Sequence, residues 1–576
     1  MKNISSIACL FFLCLSSCSE DFLERQPLGV VGERQLETED GAYALLMGAY
    51  SLLDGIGTDN NGYWQAAGSN FIYGSIASDD AYKGASAPEQ SPISQIERYE
   101  TTAQNGFLDN KWRTLYDGIS RCNDAIRVSQ NVTDLSEETR NVFLAEARFL
   151  RAHYHFDAVQ LWGYIPYVDE TVLDLSELEN TIIPWEQIEA DLSFAVTHLP
   201  AVQIQAGRAT SWAAKAYQAK VHLFQEEYSQ AKGLLDDILD NGPFELMDCY
   251  HDNFRIAGNN NAESIFEIQH SVNDGTNGEN GNFGEVLNYP YAAGPAGCCG
   301  LHQPSQNLVN AHQTTDQGLP LIDQFNDLDV KHDEGIPSEN AFSEHSGNLD
   351  PRLDWSVGRR GIPFLDWGDH PGKNWIRDQA YGGPYSPKKN AFYASEKGTG
   401  STASGWAKGA NANNLRLIRL AHIILWRAEV AVHEGELELA RKLTNRLRNR
   451  AANGCWVLEG GVADNGSHSG PNGEEPAANY VIASYPVGHP VFLNQADALK
   501  AIHMESRLEF AMEGNRFFDL VRWKIAHQTL NDYLNAEHQL RSYLDGSFFL
   551  EGQHELFPIP SSQLRSIQKL KQNTGY

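Results

Sequence analysis

Two stretches far apart in the chain carry the same pattern, and that pattern restricts the fold more than anything else in the sequence. In the first, Trp212-Ala213-Ala214-Lys215-Ala216-Tyr217 runs to Leu223-Phe224. A polar turn follows at Glu226-Glu227, and Tyr228 and Ala231 open a second helix. In the second, Leu420-Ala421 runs through Ala428-Glu429-Val430-Ala431, turns at Glu434-Gly435 and resumes with Leu437 and Ala440. Small residues on one helix, a two-residue polar turn, then an apolar residue with alanine three positions later is tetratricopeptide spacing. Such hairpins bury their apolar faces only by stacking into a continuous core. Stacking explains how 576 residues can exceed the usual size of a single-core domain. The expected fold is mostly α: a tetratricopeptide-like helical repeat scaffold with a long irregular, loop-rich ligand-binding region.

Other segments fit that frame. Thr38-Glu39-Asp40 caps a helix containing Ala42 to Leu53, and a second helical block spans Asn110 to Val128. Ser136 is the N-cap of a longer helix that Gly163 and Pro166 end. That helix is apolar on two faces, through Val142, Ala145, Phe149, Ala152 and Phe156 and through Phe143, Ala147, Leu150 and Tyr154, so it belongs inside a stack. Three stretches break the pattern with Gly, Asn and Pro: 55–88, 254–414 and 452–490. Long loops on a rigid frame are where recognition residues concentrate.

A formal net charge of −31 disfavours nucleic acid as a partner. Lys2 and the apolar run Ile7 to Leu15 predict a signal peptide over residues 1–17, too short to span a bilayer. Leu15-Ser16-Ser17-Cys18 predicts lipidation at Cys18, so the chain is expected to be anchored to a membrane by acyl chains. Beyond the anchor, Cys122, Cys249, Cys298, Cys299 and Cys455 are odd in number and irregular in spacing, which argues against a disulfide framework and against zinc. Cys298-Cys299, between Gly297 and Gly300, is the exception, a candidate vicinal disulfide.

Near the C-terminus, Glu505, Glu509 and Glu513 recur at i, i+4 among Arg507, Arg516 and Arg522, with Phe510, Phe517, Phe518 and Trp523 between them. Stacked like charges repel unless arginines fork to them, so an internal ion network is expected. This run resembles the C-terminal region of the SusD/RagB family. Glu146 to Phe156 followed by Leu161-Trp162-Gly163-Tyr164-Ile165-Pro166, Asn241-Gly242-Pro243-Phe244, Pro304 to Val309, Asp350-Pro351-Arg352-Leu353, Phe557-Pro558-Ile559-Pro560 and Lys571 to Tyr576 are similar to that family's motifs, in the family's order. The resemblance implies four tetratricopeptide-like repeats, no catalysis, and a lipoprotein on the outer face of the outer membrane. It also implies binding of a nutrient glycan that is handed to a TonB-dependent transporter of the SusC type. A peptide ligand, or a structural lid with little binding of its own, are the competing roles. The layout it suggests is 18–250 as a SusD-like helical region with a ligand-side loop at 55–88, then 251–576 as the RagB/SusD C-terminal region. The latter divides into the loops at 254–414, the repeat at 415–450 and the final helices at 495–576.

Sugars are held by aromatic faces with a few amides and carboxylates. The candidate contacts are therefore loop residues: Trp64, Tyr73, Asp80 and Tyr82 on the first loop, Tyr289 and Tyr291 on the second, and Trp367, Trp375, Tyr381 and Tyr385 in or just after the run Phe364 to Trp375 of that same stretch. Asp59-Asn60-Asn61 and Asp79-Asp80 carry oxygens of the type Ca²⁺ accepts, but neither forms a recognisable site, and no cofactor or metal is expected. Enzyme motifs fail on inspection. Gly466-Ser467-His468-Ser469-Gly470 has His where a nucleophile elbow needs Ser, and His433-Glu434 lacks a second His.

Overall fold

A computed structural model describes residues 35–57, 63–172, 174–276, 278–292, 294–403, 408–462 and 473–576. The signal segment, Cys18 and Asp59-Asn60-Asn61 lie outside the described residues. Helix α1 (Glu39–Tyr50) starts where Thr38 Oγ1 accepts the Gly41 N–H, and a 3₁₀ turn at Ser51–Asp54 extends it. Next come α2 (Gly106–Asn131) and α3 (Glu137–Trp162). Ser136 caps α3 through the Thr139 N–H, and Gly163 ends it at φ +64°, a conformation that favours glycine. Then follow α4 (Trp185–His198), α5 (Ser211–Phe224), α6 (Tyr228–Asn241), α7 (Leu420–His433) and α8 (Leu437–Asn453).

Each helix packs on the next, and α6 packs on α7, so the two hairpins first seen in sequence are stacked neighbours. The long insertion between them leaves the ladder and returns to it. One apolar core runs through the whole scaffold, from Ala42 to Leu570. Among the described residues, no helix is long and apolar enough to cross a membrane.

Two antiparallel ribbons organise the loops. β1 (Ala81–Gly84), β2 (Ser264–Ile268), β3 (Leu301–Pro304) and β4 (Leu415–Arg419) pair as β1 with β3 and β2 with β4. In the first, Tyr82 faces Gln303 and Gly84 faces Leu301. The second closes the base of the insertion where it leaves and rejoins the repeats.

The centre of 55–88 is not the exposed loop its composition suggests. Phe71–Ile76 forms a short, buried π-helical turn and β1 is wholly buried. The cause lies more than 400 residues away: Asp79 receives Arg516 at 2.8 Å and Arg507 at 3.1 Å, and Asp80 receives Arg507 at 3.0 Å. Those guanidiniums neutralise a polar turn that could not otherwise be buried. Burial would raise the Asp79 carboxyl, but Arg507 and Arg516 outweigh it and hold the group at about 2.

The glutamates of α9 (Gln495–Glu509), a helix packed on α7 and α8, draw their partners from elsewhere. Glu505 receives Arg352 at 2.7 Å and Arg448 at 2.9 Å; Glu509 receives Arg352, Arg419 and Arg450; Glu513, just beyond, receives Arg419 and Lys389. Arg522 instead joins Glu429 of α7 at 2.7 Å. Burial opposes ionisation of Glu509, yet Arg450, Arg419 and Arg352 hold it well below the carboxylate range.

The cysteine count misled. Cys249 pairs with Cys455 across 206 residues, and Cys298 pairs with Cys299, leaving Cys122 buried and free. Linear spacing carries no trace of a pairing that the fold brings together.

Candidate functional site

The β1–β3 ribbon decides which loops meet. Past its end, the Ala85 N–H donates to the Gly300 carbonyl, which sets residues 85–90 beside the loop 289–300. That second loop doubles back on itself: Tyr289 bridges to Cys299, Tyr291 bridges to Gly297, and the Gly300 N–H donates to Tyr289. The Tyr291 N–H then donates to the Trp375 carbonyl at 2.8 Å, bringing in the segment that runs from Phe364 to Tyr385.

At this junction the side chains form a connected surface. Tyr291 is 36% exposed, and the Arg377 guanidinium lies 5.3 Å from its ring centroid. Arg377 also pairs with Glu89 at 3.0 Å. Next to Glu89, Gln90 Oε1 accepts the Trp64 indole N–H at 3.3 Å, and the Trp64 ring stacks on Tyr63. Lys83 ties the 83–90 turn closed by donating to the carbonyls of Ser86, Ala87 and Glu89. Beneath that turn Lys83 caps the Tyr381 ring at 4.7 Å, and Tyr381 in turn stacks on Tyr543. The result is a shallow surface of two partly exposed rings, an amide and a carboxylate–guanidinium pair. Such groups can stack against a sugar face and hydrogen-bond its hydroxyls without covalent chemistry.

Of the ten residues singled out from sequence, Trp64 and Tyr291 lie on this surface, and Tyr381 supports it. Six others are core and are corrected as contacts. Tyr73 donates to the carbonyls of Gln65 and Phe107; Tyr82 donates to Glu537; Asp80 is held by Arg507. The Tyr289 hydroxyl accepts from Asn411, and Tyr385 donates to Gln306. Trp375 is 8% exposed and packs edge-on to Phe364. The four tyrosine hydroxyls have found internal partners, which lets an aromatic residue of a polar loop enter the interior. Trp367 is half-buried against Phe392, to whose carbonyl its indole N–H donates at 2.8 Å.

At Asp79-Asp80 the place of a cation is taken by guanidinium. Glu189, His222 and Glu227 lie within 4.8 Å of one another, but His222 is hydrogen-bonded to Glu227 and Gln225 to Glu189, closing the group on itself. Sequence reasoning missed Glu89, Gln90 and Arg377. Their signal was present, as polar residues beside loop aromatics, but only the meeting of the loops separates them from other surface charges.

A helical-repeat scaffold bearing a loop-built recognition surface is the class of protein that emerges. The chain belongs to the SusD family, whose model matches residues 262–576, and a second model, "Starch-binding associating with outer membrane", matches 49–223. A relative, "SusD-like protein P25" of Formosa agariphila, is 27% identical over 307 residues, 50% of this chain and 56% of that one, so the chain spans little more than half of that relative's length. A laminarin-binding SusD-like protein of known structure superposes with a TM-score of 0.67 at 22% identity, over 94% of this chain and all of that one. Surface glycan-binding protein A of Bacteroides thetaiotaomicron, solved with laminarihexaose, gives 0.64 at 20% identity, over 93% of this chain and 99% of that one. Likeness at these identities establishes the shared fold.

Proposed function

We propose that this protein binds an oligosaccharide at the cell surface, on the Trp64–Arg377–Tyr291 surface, and delivers it to a SusC-type TonB-dependent transporter. A lipid on Cys18 holds it to the outer membrane. The observation that carries this reading is the convergence of three loops into one partly exposed surface of rings and paired polar groups. Glycan ligands of structural neighbours and the outer-membrane description of the family support it. The lipid anchor and the transporter rest on the family resemblance and the motif at Cys18.

Calorimetry of the full chain against laminarihexaose, maltohexaose and a peptide digest tests it. Binding of a hexasaccharide is expected, weakened about three- to tenfold by Tyr291→Ala and by Trp64→Ala, the size of a ring contact. Binding of peptides alone would overturn the glycan reading. Unchanged glycan affinity in both variants would place the site elsewhere.

A further inference from the structure

The loop between Tyr291 and Gly300 has an unusual make-up. Tyr291-Ala292-Ala293-Gly294-Pro295-Ala296-Gly297-Cys298-Cys299-Gly300 contains no long side chain after the tyrosine. Tyr291 bridges to Gly297 and Tyr289 to Cys299, so the cysteines lie alongside the strand-like segment that carries the exposed ring. Gly297 sits at φ +72°, where a Cβ would come within 2.6 Å of the Ala292 carbonyl oxygen, so a side chain is kept off this stretch. Cys299 is buried against the core, whereas Cys298 is only partly covered. The two sulfurs are paired. Around this bare patch stand the polar groups already described, Arg377 and Glu89, and the Lys408 Nζ lies 4.0 Å from the Cβ position of Gly297.

We propose that the Cys298–Cys299 pair, together with Tyr291, forms the apolar floor of the ligand site and receives the C–H face of a hexopyranose unit. This inference rests on the glycan-binding reading above. A sulfur pair with its two methylenes is flat, polarizable and unable to donate a strong hydrogen bond, so it suits the apolar face of a sugar as an aromatic ring does. Side-chain contacts to the hydroxyls would come from the rim, where Arg377, Glu89 and Lys408 project. The arrangement favours a ligand lying flat across Tyr291 and the sulfurs over an extended peptide, which would seek an open strand edge. Both edges here are engaged, since Tyr291 donates to Trp375 and Ala85 to Gly300.

The test compares Cys298→Ser/Cys299→Ser, Cys298→Ala/Cys299→Ala and Tyr291→Ala with the parent, each as the full chain, by calorimetry with laminarihexaose and maltohexaose. Intact mass before and after alkylation establishes the bonded state of the cysteines, and the melting temperature reports folding. A three- to tenfold loss of hexasaccharide affinity is expected in both double variants at a melting temperature within a few degrees of the parent, with the serine pair the weaker binder because its hydroxyls need water. If Tyr291→Ala loses affinity while both double variants bind like the parent, the sulfur floor is wrong and the glycan site stands. If the parent binds neither hexasaccharide, the site reading itself fails, and the floor with it. Free thiols in the parent, found as two alkylated cysteines at this position, would also overturn the paired floor.

Discussion

Glu97 is buried where the Lys83 N–H and the Tyr543 hydroxyl both donate to its carboxylate. Burial dominates those bonds and pushes its pKa up to about 7. Glu537 lies in a similar setting, also raised to about 7 by burial despite Tyr82 and Arg541. In both, the folded state holds a proton that the unfolded chain gives up near 4.5. Their stabilisation is therefore complete below about pH 4.5 and is lost as pH rises through 7, by on the order of 3 kcal/mol for each group. The strongly lowered carboxylates, Asp79 and Glu513 at about 2, titrate below this window and add no slope within it. Buried histidines such as His153 and His270, lowered to about 4 by burial, act in the opposite sense as pH rises toward 6.5, so the test is a difference: relative to Glu97→Gln, the melting temperature of the parent should fall between pH 4.5 and 8. A slope unchanged by Glu97→Gln would show that the carboxyl does not hold its proton. Glu97 touches Tyr543 and Lys83, the residue that closes the 83–90 turn, so this turn is expected to loosen toward alkaline pH.

Among the secondary-structure elements, α9 concentrates the ionic interior. Arg352 joins Asp350, Glu505 and Glu509 at once and is 1% exposed; Glu505 keeps Arg448 and Glu509 keeps Arg419 and Arg450, so Arg352→Ala strands chiefly Asp350, which is fully buried. A loss of about 3–5 kcal/mol in urea unfolding is expected. Arg516→Ala should cost less, because Asp79 keeps Arg507. Equal losses in the two variants would contradict this assignment of partners. Helices were legible because their signals are local: Thr38, Ser136 and Thr210 cap their own first turns, and alanine spacing marks the hairpins. The arginines that answer the α9 glutamates were not legible as partners. Arg419, Arg448 and Arg450 belong to segments far from it in sequence, and only stacking of α7 and α8 on α9 brings them in. Tyr82, Tyr289 and Tyr385 misled for the same reason. A polar, glycine-rich neighbourhood says loop, while a distant Glu537, Asn411 or Gln306 determines that the ring goes inside.

Across the whole molecule, the site is a by-product of long-range closure. The Cys249–Cys455 bond links the start of the inserted region to the segment just after α8, closing a loop of 206 residues. Loop closure of that length restricts the unfolded chain, so Cys249→Ser/Cys455→Ser should lower stability by about 2–4 kcal/mol. Thermal unfolding with and without reductant checks it, and reductant should then have little further effect on the double variant's global melting. The continuous core from Ala42 to Leu570 also predicts that unfolding is not divided near residue 250, despite the two family models that the sequence matches there.

The bonds from Asp79 and Asp80 to Arg507 and Arg516 bear on the order in which the protein can be made. A chain synthesised N-terminus first can form its early helices as they emerge, but β1 waits for residues 301–304 and the acidic turn before it waits for residues past 505. Until then that turn carries two carboxylates without counter-charge and stays in water. The Trp64–Tyr291 surface beside it is therefore completed last, after both the 301–304 strand and the segment past residue 505 are in place.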